Sequence, residues 1–308
     1  MADSKICSRC ISLSLAALAA WLLAGCSLRL TAVNVIGDAL AGGGGVFASD
    51  DDPELIRAAL PFGLKTFESL LDVSPEHQGL LLAAAGGFTA YAFLIQDEAD
   101  RVDESDLLRA QQLRARARRL YVRGRDYALR GLDARHPGFA IELKKDRAAA
   151  LAKTAKADVP FLYWAGASWA GAVSVAKSDP DLVIDLPLAG ALVERVLVLD
   201  EQYDLGAAHE FFISFEGSRP GGSAQRAREH YRRAVEISSG QRAAAHVALA
   251  EAVAVREQNL SEFRALLAAA LSVEREKIPQ LRLANTIARR RAQWLQSRIG
   301  DLFLEVDP

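Results

Sequence analysis

The stretch AREHYRRAVE, residues 227–236, decides the fold. Ala227, Tyr231 and Ala234 follow the Ala-x-x-x-Tyr-x-x-Ala spacing that is typical of the second helix of a tetratricopeptide repeat. A pair of such helices cannot bury its own apolar face, so neighbouring pairs stack into a superhelix with a concave surface or a central channel. The stretch therefore predicts stacked helix pairs.

Three earlier helices end in a similar sequence pattern, which extends this prediction along the chain. An Ala- and Leu-rich helix closes on an acidic residue in LLDVSP (70–75), GLDARHP (131–137) and VLDEQY (198–203). These closings recur at about 62 to 66 residues, near twice the 34-residue tetratricopeptide period. The pattern predicts a degenerate tetratricopeptide-like superhelix in which every other repeat keeps its mark.

Composition also predicts an all-α fold. Hydrophobic residues make up 51% of the chain, mostly Ala and Leu, with few β-branched runs at alternating spacing. Pro187 predicts that the helix drawn over 181–200 is kinked or begins later. The connections are too short to separate domains, so we expect a single domain over 53–308. The predicted helices cover 28–41, 53–72, 76–97, 104–133, 139–155, 158–177, 181–200, 205–217, 222–238, 241–257, 260–273 and 279–299.

A glycine run and an aspartate run precede this domain. Residues 42–45 are all glycine and predict a flexible joint, because four glycines cost backbone entropy to order. Asp50, Asp51 and Asp52 precede Pro53, which predicts capping of the next helix, with a metal site as the alternative. Residues 26–52 are therefore expected to form the N-terminus, the first helix and the joint.

The N-terminus has the features of a lipoprotein signal peptide. Lys5 and Arg9 form a basic start, residues 11–23 are apolar but too short for a permanent membrane span, and LAGC follows at 23–26. This pattern predicts cleavage of residues 1–25 and lipidation of Cys26, so that acyl chains hold the protein at a membrane surface. An uncleaved N-terminal helix is the alternative. Cys26 is followed by Ser27 and not by an aspartate, which favours sorting to the outer membrane. The protein would then face the periplasm.

Cleavage changes the composition of the mature chain. Cys7 and Cys10 leave with the signal peptide, so one cysteine remains and no internal disulfide can form. About 283 residues must then fold by apolar burial alone, which a chain of this length can do. The mature chain keeps 35 basic and 38 acidic residues, a formal charge of −3, which argues against nucleic acid as a partner.

Two motifs are similar to enzyme signatures, but each lacks a feature that the signature requires. His209 and Glu210 begin like a zinc-protease helix, but Ile213 stands where the second histidine ligand is needed. GASWA at 166–170 approaches a nucleophile elbow, but it lies inside a predicted helix rather than after a strand. The sequence therefore predicts no enzyme, no bound metal and no cofactor.

Large aromatic residues beside small ones are the better site candidates. Small residues next to large flat ones leave either close helix contacts or an apolar hollow, and core packing is the alternative for each residue. The arginines at 289–291 follow one another, so they cannot all face one surface, and we interpret them as a solvated face or as a site for an acidic partner. We predict that six residues line a channel or pocket for an apolar or amphipathic ligand: Phe88, Tyr91, Trp164, Trp169, His209 and Phe212.

Segments along nearly all of the mature chain resemble the T component of tripartite ATP-independent periplasmic (TRAP) transporters, the TatT family. These segments are FASDDDPEL (47–55), YWAGASW (163–169), GAAHEFFISFE (206–216), AREHY (227–231), LAE (249–251), LAN (283–285) and RRRAQWL (289–295). The resemblance is strong for the family and weak for any chemistry, because it brings no catalytic residues with it.

The resemblance implies a particular role. Members are lipoproteins of stacked tetratricopeptide-like helices that associate with the extracytoplasmic solute-binding P component. A trimer with a channel in each subunit is also implied. The chain is therefore expected to be a docking and ligand-passing accessory. The alternative is a ligand-free scaffold lipoprotein in envelope assembly, because stacked repeats commonly present protein-binding concavities.

Overall fold

The computed structural model describes residues 33–40, 42, 44–102 and 105–304. The predicted signal peptide and the predicted lipidation site at Cys26 lie outside these residues. Within the described residues the regular structure is helical and no strand is present, which confirms the all-α prediction. The tetratricopeptide-like arrangement of the helix pairs stays a prediction.

The helices follow one another with short connections. Residues 33–40 are helical, and Gly44–Ala48 forms a further helical turn. A π-helical stretch, Ala250–Ala254, continues the helix Ala243–Leu249. Short helical turns fill the connections at Lys156–Asp158, Pro180–Val183, Tyr203–Leu205, Pro279–Leu281 and Ile299–Leu302. The main helices are α1 (Pro53–Leu71), α2 (Gln78–Val102), α3 (Leu107–Arg135), α4 (Phe139–Lys145), α5 (Arg147–Ala152), α6 (Val159–Ser174), α7 (Leu186–Asp200), α8 (Ala207–Ser218), α9 (Ala224–Ser238), α10 (Ala243–Leu249), α11 (Leu260–Ser272) and α12 (Arg282–Ser297).

Two predicted helices are divided in the structure. The helix predicted over 139–155 is split at Asp146, whose carboxylate accepts a hydrogen bond from the backbone N–H of Ala149 and so starts α5. The helix predicted over 181–200 begins later, at Leu186, because a proline such as Pro187 fits the first turn of a helix but not its interior.

The aspartate run caps α1 as predicted. The Asp52 carboxylate accepts hydrogen bonds from the backbone N–H groups of Glu54 and Leu55 at 3.0 and 3.1 Å, and a proline occupies the first turn. The preceding glycine run differs from the prediction. Gly44–Ala48 is helical where a flexible joint was expected, and Phe47 in this turn packs against the core.

Two hydrophobic cores meet at α8. The first core is built from α1 to α7 and includes Phe212, and the second is built from α9 to α12 and includes Ile213. Because these two residues are neighbours on α8, this helix joins the two halves of the molecule.

The helix α2 lies at the centre of the first half. It is long and apolar enough to cross a membrane by length and composition, but half of its most apolar window is buried inside the protein. It packs against α1, α3 and α6, and Leu80, Leu81 and Ile95 are fully buried there. Burial of its apolar side chains in the core therefore accounts for the high hydropathy of α2.

Glycines allow α3 and α6 to approach each other closely. A Cβ atom at Gly131 on α3 would lie 2.2 Å from the ring of Phe161 on α6. A Cβ atom at Gly171 on α6 would lie 2.5 Å from the ring of Tyr121 on α3. Each helix therefore presents a glycine to an aromatic ring of the other.

Replacing Gly131 with alanine should destabilise the protein. The added methyl group overlaps Phe161, and overpacking of this kind costs about 1 to 3 kcal/mol in the free energy of unfolding. Gly63→Ala on α1 is the matched control, because nothing lies within 4 Å of its Cβ position. The control should be neutral or stabilised by up to about 1 kcal/mol, since alanine favours the helix. Urea unfolding followed by circular dichroism measures both, and equal stabilities would contradict this packing.

Candidate functional site

The two ends of the helical array meet. The last long helix, α12, packs against α1 and against the turn Gly44–Ala48. The Arg290 guanidinium donates a hydrogen bond to the Glu54 carboxylate at 2.5 Å, and Arg282 donates one to the backbone oxygen of Ser49 at 3.2 Å. The two halves therefore contact each other in two places, through α8 and through α12 with the N-terminal elements.

A charged cluster bridges the halves beside this contact. The Arg291 guanidinium lies 2.6 Å from a carboxylate oxygen of Glu251, 3.4 Å from one of Asp97 and 3.2 Å from one of Asp100. Desolvation acts to lower the pKa of Arg291, but the carboxylates outweigh it and the pKa is raised. We call these four residues the closing cluster. It links α12 and the π-helical stretch of the second half to α2 of the first.

A second charged cluster lies beside α8. Arg242 precedes α10 and donates hydrogen bonds to the Glu210 carboxylate at 2.7 Å and to the backbone oxygen of Asp204 at 2.7 Å. Tyr163 on α6 lies close to these groups. Desolvation and the charge of Glu210 raise the pKa of its hydroxyl. We call Tyr163, Asp204, Glu210 and Arg242 the α8-side cluster.

Each cluster contains a partly exposed carboxylate whose pKa is raised by desolvation. A third of the Glu251 side chain is exposed, yet desolvation raises the pKa of its carboxyl group. Half of the Asp204 side chain is exposed, and desolvation raises its pKa as well. In each carboxyl group the effect of burial outweighs that of the neighbouring arginine, which acts to lower the pKa. We call the two clusters together the inner face.

A histidine pair ties α8 to α9. The Nδ1 atoms of His209 and His230 are 2.8 Å apart, and His209 Nε2 lies 3.1 Å from a carboxylate oxygen of Glu201. A hydrogen bond between two Nδ1 atoms needs one donor and one acceptor, so a single proton lies between them. Desolvation, with the neighbouring His209, lowers the pKa of His230 to about 4. His230 is therefore neutral at pH 7.

Three of the six predicted site residues pack against α3. Phe88, Tyr91 and Trp169 are almost fully buried. Each of their rings has an α3 guanidinium carbon 4.5 to 5.3 Å from its centroid. This stacking covers the rings with the stems and charged ends of arginine side chains.

The other three occupy different places. His209 and Phe212 face α9, where the Phe212 ring stacks on His230 at a centroid distance of 4.8 Å. Trp164 is half-buried and meets the ring of Tyr163 edge-on at 5.2 Å. The structure therefore does not bring the six residues into one cluster, and it places Trp164 beside the inner face.

Sequence reasoning missed the acidic residues of the closing cluster. Glu251 is the one carboxylate in the alanine-rich run over 243–254, whereas Asp97 and Asp100 lie in the polar end of α2, QDEADR (96–101). A charge inside an apolar helical run is a signal for a buried ion pair, and it could have identified Glu251 but not the two aspartates.

The interpretation of the arginine run as a solvated face is wrong for Arg289 and Arg291, whereas the Arg290 side chain is 41% exposed. Arg289 donates to a backbone oxygen at the end of α11, that of Val273, at 3.1 Å. Arg290 pairs with Glu54, and Arg291 belongs to the closing cluster. The prediction that the three cannot share one surface is confirmed.

Ser168 does not have the placement of a nucleophile. It is fully buried inside α6, and its hydroxyl oxygen lies 2.5 Å from that of Thr89. A nucleophile elbow needs a strand that leads into a sharp turn. Among the described residues, no group of three side chains is placed to hold a metal ion.

Comparison with known proteins identifies the family. The model of the family described as TRAP transporter T-component matches residues 49–303. A protein of Treponema pallidum (strain Nichols), named only as an uncharacterized protein, is 29% identical over 268 residues, which cover 84% of this chain and 83% of that protein. The chain belongs to the TRAP transporter T-component family, a family of transport accessory proteins. The resemblance seen in the sequence is confirmed.

Removing the shared cation of the closing cluster should destabilise the protein. Arg291→Ala leaves the carboxylates of Asp97, Asp100 and Glu251 close together without their partner. We expect a loss of about 3 kcal/mol in the free energy of unfolding at pH 7. The loss should shrink as the pH falls toward 4, because protonation of the carboxylates removes their repulsion. Urea unfolding at several pH values measures this dependence.

Arg290→Ala is the matched control for that variant. Arg290 pairs with Glu54, whose side chain is 72% exposed, so its removal should cost less than about 1 kcal/mol and depend little on pH. Equal losses for the two variants would contradict a special role for the closing cluster.

Proposed function

We propose that this protein is a lipid-anchored T component that docks a solute-binding P component and passes the ligand along the inner face. The family match over residues 49–303 is the observation that carries the proposal, because that family is accessory to transport. The assigned role is binding and transfer rather than catalysis.

The chemistry of the inner face supports passage of a ligand. Its arginines are paired with carboxylates, so the charges compensate one another. Tyr163, Trp164 and Tyr203 add flat aromatic surface, and the rings of Tyr163 and Tyr203 lie 5.4 Å apart. Aromatic rings with polar edges accommodate apolar or amphipathic molecules. Of the six residues predicted to line the channel, we assign direct ligand contact to Trp164 and supporting positions to the other five.

The proposal includes location and assembly. Cys26 carries the lipid anchor, and Ser27 favours the outer membrane, with the folded domain in the periplasm. The family resemblance supports a homotrimer in which each subunit carries a channel.

Capture from membranes tests the docking role. The full chain with an affinity tag is purified from its native membranes in mild detergent, and its partners are identified by mass spectrometry. We expect a solute-binding protein of the TRAP class. Cys26→Ser should recover the same partner from the soluble exported fraction, because docking does not require the lipid. Recovery of envelope-assembly proteins, with no solute-binding protein in either sample, would favour the scaffold alternative.

Two tryptophans on α6 separate ligand passage from packing. Trp169 is 1% exposed, so Trp169→Ala should cost about 3 to 5 kcal/mol in the free energy of unfolding. Trp164→Ala should cost less and should reduce the transfer of small molecules from a loaded P component. Thermal unfolding measures the first effect, and mass spectrometry of the molecules recovered with each protein measures the second. Unchanged transfer by Trp164→Ala would contradict the assigned path.

A further inference from the structure

The helix over residues 33–40 exposes its large apolar side chains to solvent. Val35, Ile36 and Leu40 are 65%, 51% and 41% exposed. They share one face of the helix with Ala39, because residues four apart lie one above the other. We call these four residues the outer apolar face. A helix at the surface of a soluble protein normally turns such a face inward.

The opposite face of this helix is held against the start of α2. The side-chain oxygen of Asn34 accepts a hydrogen bond from the Ser74 hydroxyl at 2.8 Å, and the Asn34 backbone oxygen lies 3.2 Å from His77 Nε2. Gly37 is buried here, and a Cβ atom on it would lie 2.8 Å from His77 Nε2 and 3.0 Å from Leu80. A glycine is therefore required at this contact, and the helix cannot roll to bury a larger side chain.

The apolar surface continues along the chain. Val46, in the turn Gly44–Ala48, is 72% exposed. Four large aliphatic side chains thus stand in solvent within 12 residues of each other along the chain. Leaving them uncovered costs about 25 cal/mol per Å² of apolar area, so a partner that covers them gains that free energy.

The position of this face in the chain points to a lipid surface. Seven residues lead from Cys26 to Val33, and even when fully extended they span at most about 25 Å. A lipid anchor at Cys26, which belongs to the proposed function, would therefore hold the outer apolar face near the headgroups. Tethering raises the effective concentration of the bilayer, so weak partition of a few side chains is sufficient for contact.

The charges near this face select the kind of membrane. The charged residues between 33 and 52 are Asp38, Asp50, Asp51 and Asp52, while Arg29 precedes this segment and Arg282 contacts it at the Ser49 backbone oxygen, so the region carries no excess of basic charge. Anionic lipids attract basic segments and repel acidic ones. The segment therefore fits a zwitterionic lipid surface and contacts it through apolar side chains.

We propose that the outer apolar face, with Val46, lies in the interface of a zwitterionic bilayer and fixes the orientation of the domain on the membrane. The test uses the full lipidated chain in phosphatidylcholine–phosphatidylethanolamine vesicles. Because lipidation consumes the Cys26 thiol, Ile36→Cys provides the one free thiol of the mature chain, and it is labelled with an environment-sensitive fluorophore. Lipids with a nitroxide on the upper acyl chain quench a label that lies in the interface.

The matched control is Val198→Cys on α7. Val198 is 69% exposed and lies on α7, which packs against α6 and α8. We expect a blue shift and quenching of the Ile36→Cys label by nitroxide lipid, unchanged by added salt, and neither effect for the control. Quenching should weaken when phosphatidylglycerol replaces the neutral lipids.

Three results would overturn the proposal. An unquenched Ile36→Cys label on a lipidated chain would overturn this proposal and leave the lipid anchor standing. The mass of the N-terminal peptide shows independently whether the chain carries the lipid. A label shielded from aqueous iodide but not quenched by nitroxide lipid would mean that a second copy covers the face. An unlipidated N-terminal peptide would overturn the anchor of the proposed function and this proposal with it.

Discussion

The architecture depends on one guanidinium group that is shared by three carboxylates. A stack of helices in which each unit contacts only its neighbours has two free ends. Here Arg291 on α12 reaches Asp97 and Asp100 on α2, and it also holds Glu251 in its own half. Ion pairs need fixed geometry but little apolar area. Arg291 therefore links the two halves through paired charges.

The separation of the two hydrophobic cores follows from this constraint. Apolar side chains hold each half together, and α8 contributes to both cores with Phe212 and Ile213. Between the halves, the α8-side cluster and the closing cluster add paired charges to the apolar contacts of α8 and of Leu283. In the proposed function this surface contacts the ligand, and the family itself is accessory to transport.

The N-terminal helix over 33–40 is held in a fixed position on the rest of the protein. Gly37 and Asn34 fix the helix over 33–40 on the start of α2, and its large aliphatic side chains point away from the protein. The polar inner face and the apolar outer face thus belong to different parts of the molecule. We propose contact with a ligand for the first and contact with a lipid surface for the second.

The sequence by itself determined the helices and the family. Alanine and leucine content, the Asp52 cap and the position of Pro187 act within one or two helical turns, so local chemistry is sufficient to predict them. The family also follows from sequence, because its motifs are spread over nearly the whole mature chain. The glycine run at 42–45 misled the prediction, because intrinsic propensity does not include the packing of Phe47 against the core.

Only the tertiary structure decided the inner face. Arg291 lies 40 residues from Glu251 and 194 from Asp97, and no periodicity in the sequence links an ion pair across such distances. Trp164 and Trp169 have similar neighbours on the same helix, but five positions turn them to different faces, one toward Tyr163 and the other into the core. The local pattern predicts that a side chain is apolar and helical, whereas the packing of distant helices decides what it contacts.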